Sequence, residues 1–377
     1  MNKSNLHSIF KSYIDNFEVI NTKHDESYKW EIAEKFQAFD VEAEDFVGVL
    51  TKMWKASENI IDSSHQLPFY ALVDYATNYG EAETVRDMFR HLFADEVLDA
   101  TEKQKRIDAF LDMSEELRQK HKPDSHLYIA NQGTVMQLLF LRYPNSNYGY
   151  KASQAKSFAD CIEFYEDWGP MTAFHLDVYN RMCDQVIEEI KQCEALLDTH
   201  KSRYEHTDRH FHADENLHIL LLDIIYSSQT YNFYEGISFS PITAQARKLH
   251  FEKIAKAKEL ENALMEAQAD ATLLAEGLEY LSTTLKEGMS VWHKAFGEGV
   301  IKGVAGTVIE VEFPQKGETK KLGITVVVPN KFITFADPTV AEAIMKYIPV
   351  LQKENDIPNK VKRATEALEP YLDYLEE

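Results

Sequence analysis

At Gly288 the spacing of apolar residues changes. Upstream they recur every three or four positions, the period of a helix with one buried face. Downstream they recur every second position, the period of a strand. The clearest strand is TVIEVEF, where Ile309, Val311 and Phe313 fall on one face and Glu310 and Glu312 on the other. Around it VWH, VIKGVA, KKLGITVVV and KFITF supply four more short runs, separated by Phe296–Gly299 and Pro314–Gly317 as turns. Five short strands over 288–336 predict a small barrel with Val291, Phe296, Ile309, Val311 and Phe313 inside. Asp337-Pro338 then opens a helix, Asp as cap and Pro at the first position, and two terminal helices follow, split near Pro358.

The upstream chain predicts helices throughout. Tyr28, Trp30, Ile32, Phe36 and Phe39 form an aromatic stripe, and Asp40 stands where a cap would begin the helix carrying Phe46, Leu50 and Met53. Val85, Met88, Phe89, Leu92 and Phe93 mark another face, and Ile107, Phe110, Leu111 and Leu117 a third. The run Val135–Leu141 is short enough to be helix or strand. Two coiled-coil-like seams stand out: Leu176, Tyr179, Cys183, Val186, Ile190, Cys193 and Leu197, then Leu260, Leu264, Ala267, Ala271, Leu274, Leu278, Leu281 and Leu285. They predict two long helices packed near-antiparallel within the chain, with pairing of two chains as the second option. LHILLLDIIY reads as an all-round apolar helix between them, ended by Gly236. The expected fold is mainly α. An N-terminal helical domain (1–150) leads to a long-helix bundle (151–287), the small barrel (288–336) and C-terminal helices (337–377).

The net charge of −22 disfavours general coating of nucleic acid. Residues 288–336 run the other way, with six Lys and four Glu. Three cysteines, Cys161, Cys183 and Cys193, match no paired zinc spacing and suit a reducing cytoplasm. No run of about 18 apolar residues occurs, so no membrane span is expected.

Val291, His293, Phe296-Gly297, Gly299-Val300, Val308, Val311, Phe313, Gly317 and Lys321-Leu322 together resemble the Tudor/SH3-like module that ends UvrD-type helicases, and more distantly the CarD-like module. That resemblance implies an SH3-like barrel that binds another protein or, second, nucleic acid. The segment ITVVVPNKFITF departs from its pattern. YKWEIAEKFQ (28–37), VRDMFRHLFADE (85–96) and RYPNSNYGYKASQAKSF (142–158) are similar to regions beside McrB-type restriction ATPases and related phage-defence proteins of bacteria. No counterpart of their nucleotide-binding domain is present, so the resemblance implies a recognition or scaffolding part without a motor.

No phosphate-cradling G-x-x-x-x-G-K-[ST] occurs, and Gly297, Gly299 and Gly303 join two strands instead of leading a strand into a helix. Glu189-Ile190-Lys191 has the short spacing of a nuclease motif but lies in the first seam. The densest polar group is His200, His206, His210, His212 and His218. His206 and His210 are four apart, as on one helical face, and with His212 they would be the ligands of a metal-dependent nuclease. The leading expectation is a non-catalytic binding or adaptor protein without a cofactor. Its barrel would dock a protein partner through Trp292, Lys294, Glu298, Lys302, Lys320 and Lys321. Trp292 carries two readings: an exposed binding residue, or a wedge packed on the helix ending at Leu285.

Overall fold

The computed structural model describes residues 1–63, 65–94, 99–205 and 207–375, and the chain packs as two compact units, Met1–Arg247 and Lys248–Glu377. The fold is mainly α, with one five-stranded antiparallel sheet near the C-terminus. No described helix is long and apolar enough to cross a membrane.

The first unit is built from α1 (Lys3–Asp15), α2 (Tyr28–Phe36), α3 (Phe46–Ile61), α4 (Pro68–Asn78), α5 (Ala82–Leu92), α6 (Ala100–His121), α7 (Gln132–Arg142), α8 (Ala152–Cys161), α9 (Leu176–Gln192), α10 (Glu194–Ser202) and α11 (His218–Thr230). Short polar side chains start four of these helices, α1, α3, α6 and α7, by accepting otherwise orphaned N–H groups. Asp45, and not the expected Asp40, caps α3, because its carboxylate meets the Gly48 N–H at 3.0 Å. Asn131 and Thr134 form a reciprocal capping box on α7, which settles the run Val135–Leu141 as helix. The aromatic stripes converge as expected: Phe39 meets Phe36, Phe89 and Phe93 with ring centroids 5.5, 5.0 and 5.9 Å away. One apolar cluster runs from Leu6 to Phe233, straight across the expected division at 150/151.

Three expectations fail in the central region. The first seam is not one helix. The backbone leaves helical geometry at Cys193, dividing it into α9 and α10. Its partners are not the second seam either, since Tyr179, Cys183, Val186 and Ile190 are buried in the first unit's cluster. The helix α11 is apolar all round, but it ends at Thr230, six residues before Gly236. Asn232 already takes a left-handed φ of 57°, and the turns after it pack Phe233 against Tyr13.

The helix α12 (Ala244–Thr284), which belongs to the second unit from Lys248 onward, carries the second seam and stops short of Glu287-Gly288. The strands are β1 (Ser290–His293), β2 (Gly297–Ala305), β3 (Val308–Phe313), β4 (Glu318–Gly323) and β5 (Ile333–Phe335), in the order β4-β3-β2-β1-β5. The turn α13 (Ile324–Val327) precedes β5, and α14 (Pro338–Leu351) and α15 (Ile357–Leu368) close the unit. Asp337 caps α14 through the Thr339 N–H at 2.9 Å, with Pro338 at the first helical position. The two terminal helices are split as expected, at residues 352–356, and Pro358 lies just beyond the break in the first turn of α15.

ITVV does not extend β4. Ile324, Val327 and Val328 are all buried, a three-four spacing that only a helical turn can satisfy, and this burial overrides their β-branched preference for strand. Leu274, Leu281 and Leu285 of the second seam share one core with Val291, Ile301, Ile309, Val311 and Phe313 of the sheet and Ile344 and Ile348 of α14. At Gly277 an added Cβ would stand 2.9 Å from Tyr347 Cβ, so the missing side chain is what lets α14 lie close on α12.

Candidate binding surface on the sheet

Alternation along β1 places Val291 and His293 inward and Trp292 outward. Trp292 is 48% exposed, so it is not the wedge beneath α12 that one reading expected. Its cross-strand neighbours are Thr334 on β5 and Glu298 on β2. Ser290 faces Val300, which in turn faces Glu312. Ser290, Trp292, Glu298, Val300 and Thr334 line a groove of about 420 Å³ that the turn after β3 borders with Pro314 and Gln315. Gly299 forms part of its floor. A Cβ there would come within 2.7 Å of Val311 and of the Phe313 ring, so glycine is required for close approach. Gly297, with φ of 80°, makes the turn into β2, and Gly303 lies at the register shift in that strand.

The six residues expected to form one face do not all do so. Lys302 shares the outer face with Trp292 and Glu298 and pairs with Glu312 at 2.7 Å. Lys321 stands opposite Glu310 on the same face. Lys320 is opposite Val311 and therefore on the inner side of the sheet, at its margin; its ammonium lies 5.7 Å from the Phe296 ring and 2.8 Å from Glu318. Lys294 follows the end of β1, and its N–H donates to the Phe332 carbonyl at 2.8 Å. Phe296 is half-buried instead of enclosed, its ring tilted against those of His293 and Phe313 with centroids 4.8 and 5.1 Å away.

The histidines do not assemble. His206 lies outside the described residues. His210 is exposed in a non-helical stretch, so four-residue spacing there defines no helical face. His212 accepts the Asp214 N–H on Nδ1 at 3.1 Å. His218 donates from Nδ1 to the Asn147 carbonyl at 2.9 Å and packs on Tyr148. His200 is buried, and that burial, with the Arg203 charge beside it, pushes its pKa down to about 4. Among the described residues no group of three His, Cys, Asp or Glu is arranged to hold a metal ion. Glu189 of the short nuclease-like spacing pairs with Lys3 at 2.8 Å, while Ile190 is buried in the core.

Sequence reasoning missed the polar centre of the first unit. Asp223, fully buried in α11, accepts Tyr13 Oη–H at 2.5 Å and Lys29 Nζ at 2.6 Å. Lys29 also pairs with Glu26, and its ammonium sits 4.3 Å from the Tyr226 ring centre. Arg203 stacks 3.7 Å over Trp30 and donates to Ser27, Asn21 and Tyr13 at 2.6, 2.8 and 2.8 Å. Burial alone would lower the Lys29 pKa, but Asp223, Tyr28 and Glu26 outweigh it and hold the group above its ordinary value. Two cations thus face two carboxylates, and of the Arg203 guanidinium nitrogens only Nε is left without a hydrogen-bond partner. Its signal in the sequence was one Asp inside the apolar run LHILLLDIIY, a residue that cannot be buried without partners.

The chain matches no protein-family model, no curated protein and no solved structure.

Proposed function

We propose that this chain is a non-catalytic adaptor whose C-terminal sheet docks a segment of another protein beside Trp292. The observation that carries the reading is a large aromatic side chain, 48% exposed, on the wall of a groove of about 420 Å³. Exposed aromatic residues beside a concavity are characteristic of binding hot spots. The antiparallel run β1–β4, with β5 returning beside β1, supports the SH3-like, Tudor-type reading of this module. Protein is favoured over nucleic acid, because no Lys or Arg lines the groove and Lys302 and Lys320 are already paired with glutamates.

A bacterial restriction or phage-defence setting in the cytoplasm rests on the three stretches within 28–37, 85–96 and 142–158. Residues 95 and 96 lie outside the described residues, and the remainder of the three shares one core. Gln37 Nε2 donates to the Leu141 carbonyl at 2.8 Å, and Arg142 to the Gln37 carbonyl at 3.1 Å. One experiment tests the proposal. The full chain and its Trp292→Ala variant are used as bait in the native host, and both are scored for protection in a phage plating assay. The variant keeps the wild-type melting temperature and loses its specific partner and any protection. Unchanged capture by the variant would refute the docking role of Trp292.

A further inference from the structure

The groove beside Trp292 has a chemical polarity of its own. Its lining contains one charged side chain, Glu298, and no Lys or Arg. Glu298 is the direct cross-strand neighbour of Trp292, so carboxylate and indole stand side by side on the outer face. Of the other outer-face carboxylates, Glu312 pairs with Lys302 at 2.7 Å, and Glu310 has Lys321 as its register neighbour across the strand without an ion pair within 4 Å. Among the described residues Glu298 makes no ion pair within 4 Å, although it is exposed. An indole face attracts a cation through its quadrupole, and a neighbouring carboxylate adds a directed hydrogen bond. A planar guanidinium can meet both at once, by stacking on one and donating to the other. Ser290, Gln315 and Thr334 add polar groups around the same space, and Pro314 and Val300 add apolar surface for an aliphatic stem.

From this arrangement we infer that the groove takes an arginine side chain presented by an extended segment of the partner protein. The guanidinium lies over Trp292 and donates to Glu298, while the stem lies along Val300 and Pro314. This inference rests on the docking role proposed above and adds the chemistry of the ligand. A phosphate backbone would meet a carboxylate and no cation in the groove, which is the reverse of what phosphate needs.

The test titrates the full chain with three capped nine-residue Gly/Ser peptides that differ only at the centre, Arg, Leu or Glu. Binding is read from the Trp292 indole N–H signal by NMR, and a single-stranded oligonucleotide serves as a fourth probe. The Arg peptide is expected to bind at least tenfold more tightly than the Leu or Glu peptide. Glu298→Gln should remove most of that preference, and Trp292→Ala, with binding read by titration calorimetry because the indole signal is gone, should abolish binding of the Arg peptide. Equal or tighter binding of the Leu or Glu peptide overturns the arginine assignment but leaves the docking surface standing. Oligonucleotide binding that Glu298→Gln strengthens also overturns it, in favour of nucleic acid. If no probe shifts the Trp292 signal and Trp292→Ala captures its cellular partner normally, both the arginine assignment and the docking role fall.

Discussion

The two units of this chain build their interiors from different materials. The first encloses Glu26, Lys29, Asp62, Arg203, Asp214 and Asp223 among its apolar side chains. In the second, His293 is the only buried polar residue among those described. An apolar core accepts any filling of about the right volume. A core threaded by fixed hydrogen bonds accepts only the arrangement in which every partner is met. The helical unit needs that constraint more. Many short helices with similar apolar faces could pack in several ways, and the bonds from Asp223 to Tyr13 and Lys29 tie α1 and α2 to α11 in one of them. The sheet unit is already constrained by strand register, and its interior can be plain.

The largest expected effect is at Asp223. Asp223→Ala leaves Lys29 and Arg203 buried without their shared carboxylate and should cost about 3–5 kcal/mol in urea unfolding of the first unit. A variant that unfolds at the wild-type urea concentration would dissolve the contrast between the two interiors.

Next comes a pH effect at the neighbouring pair His200 and Asp214, whose nearest side-chain atoms are 3.8 Å apart. Burial raises Asp214 from 3.8 to about 7, so its contribution to stability is full at low pH and is lost as pH rises toward 7. Burial lowers His200 from 6.5 to about 4, so its contribution is present above 6.5 and is lost as pH falls toward 4. The two slopes oppose each other between pH 4 and 6.5. Asp214→Asn removes one of them, and the variant should lose up to about 3 kcal/mol between pH 6.5 and 4 relative to the wild type. Parallel stability–pH curves for the two proteins would show that the pair does not titrate in this way.

In the sheet unit, Ile309→Val removes one buried methylene from a core without polar anchors and should cost only about 1 kcal/mol by thermal melting. A loss comparable to that of Asp223→Ala would mean that the second core is as exacting as the first. The smallest effect is at Trp292, where truncation to Ala should move stability by no more than about 0.5 kcal/mol, the range expected of surface positions.

Much of this contrast could be read before the fold was known, and what could not has specific causes. The switch of period at Gly288 placed the sheet, and the pair Asp337-Pro338 placed the start of α14, because both signals are local. Alternation along β1 separated Val291 from Trp292 for the same reason. The pairing of the two seams could not be read. A three-four stripe says that a face is buried but not against what, and here each seam found its own core. The turn α13 was legible in the spacing of Ile324, Val327 and Val328 but was masked by their β-branched side chains. For the polar centre, Asp223 within LHILLLDIIY signals that buried partners exist, but Tyr13, Lys29 and Arg203 lie far from it along the chain and nothing local names them.

Gly299 has a consequence for how this surface can vary. Its backbone floors the groove while Val311 and Phe313 fill the space where a side chain would stand. Positions 298 and 299 are chain neighbours with opposite tolerances. In a library of variants, residue 298 could be exchanged freely without disturbing the fold. Any side chain at 299 would be rejected for folding before its effect on recognition could be seen. The groove can therefore vary through its wall but not through its floor.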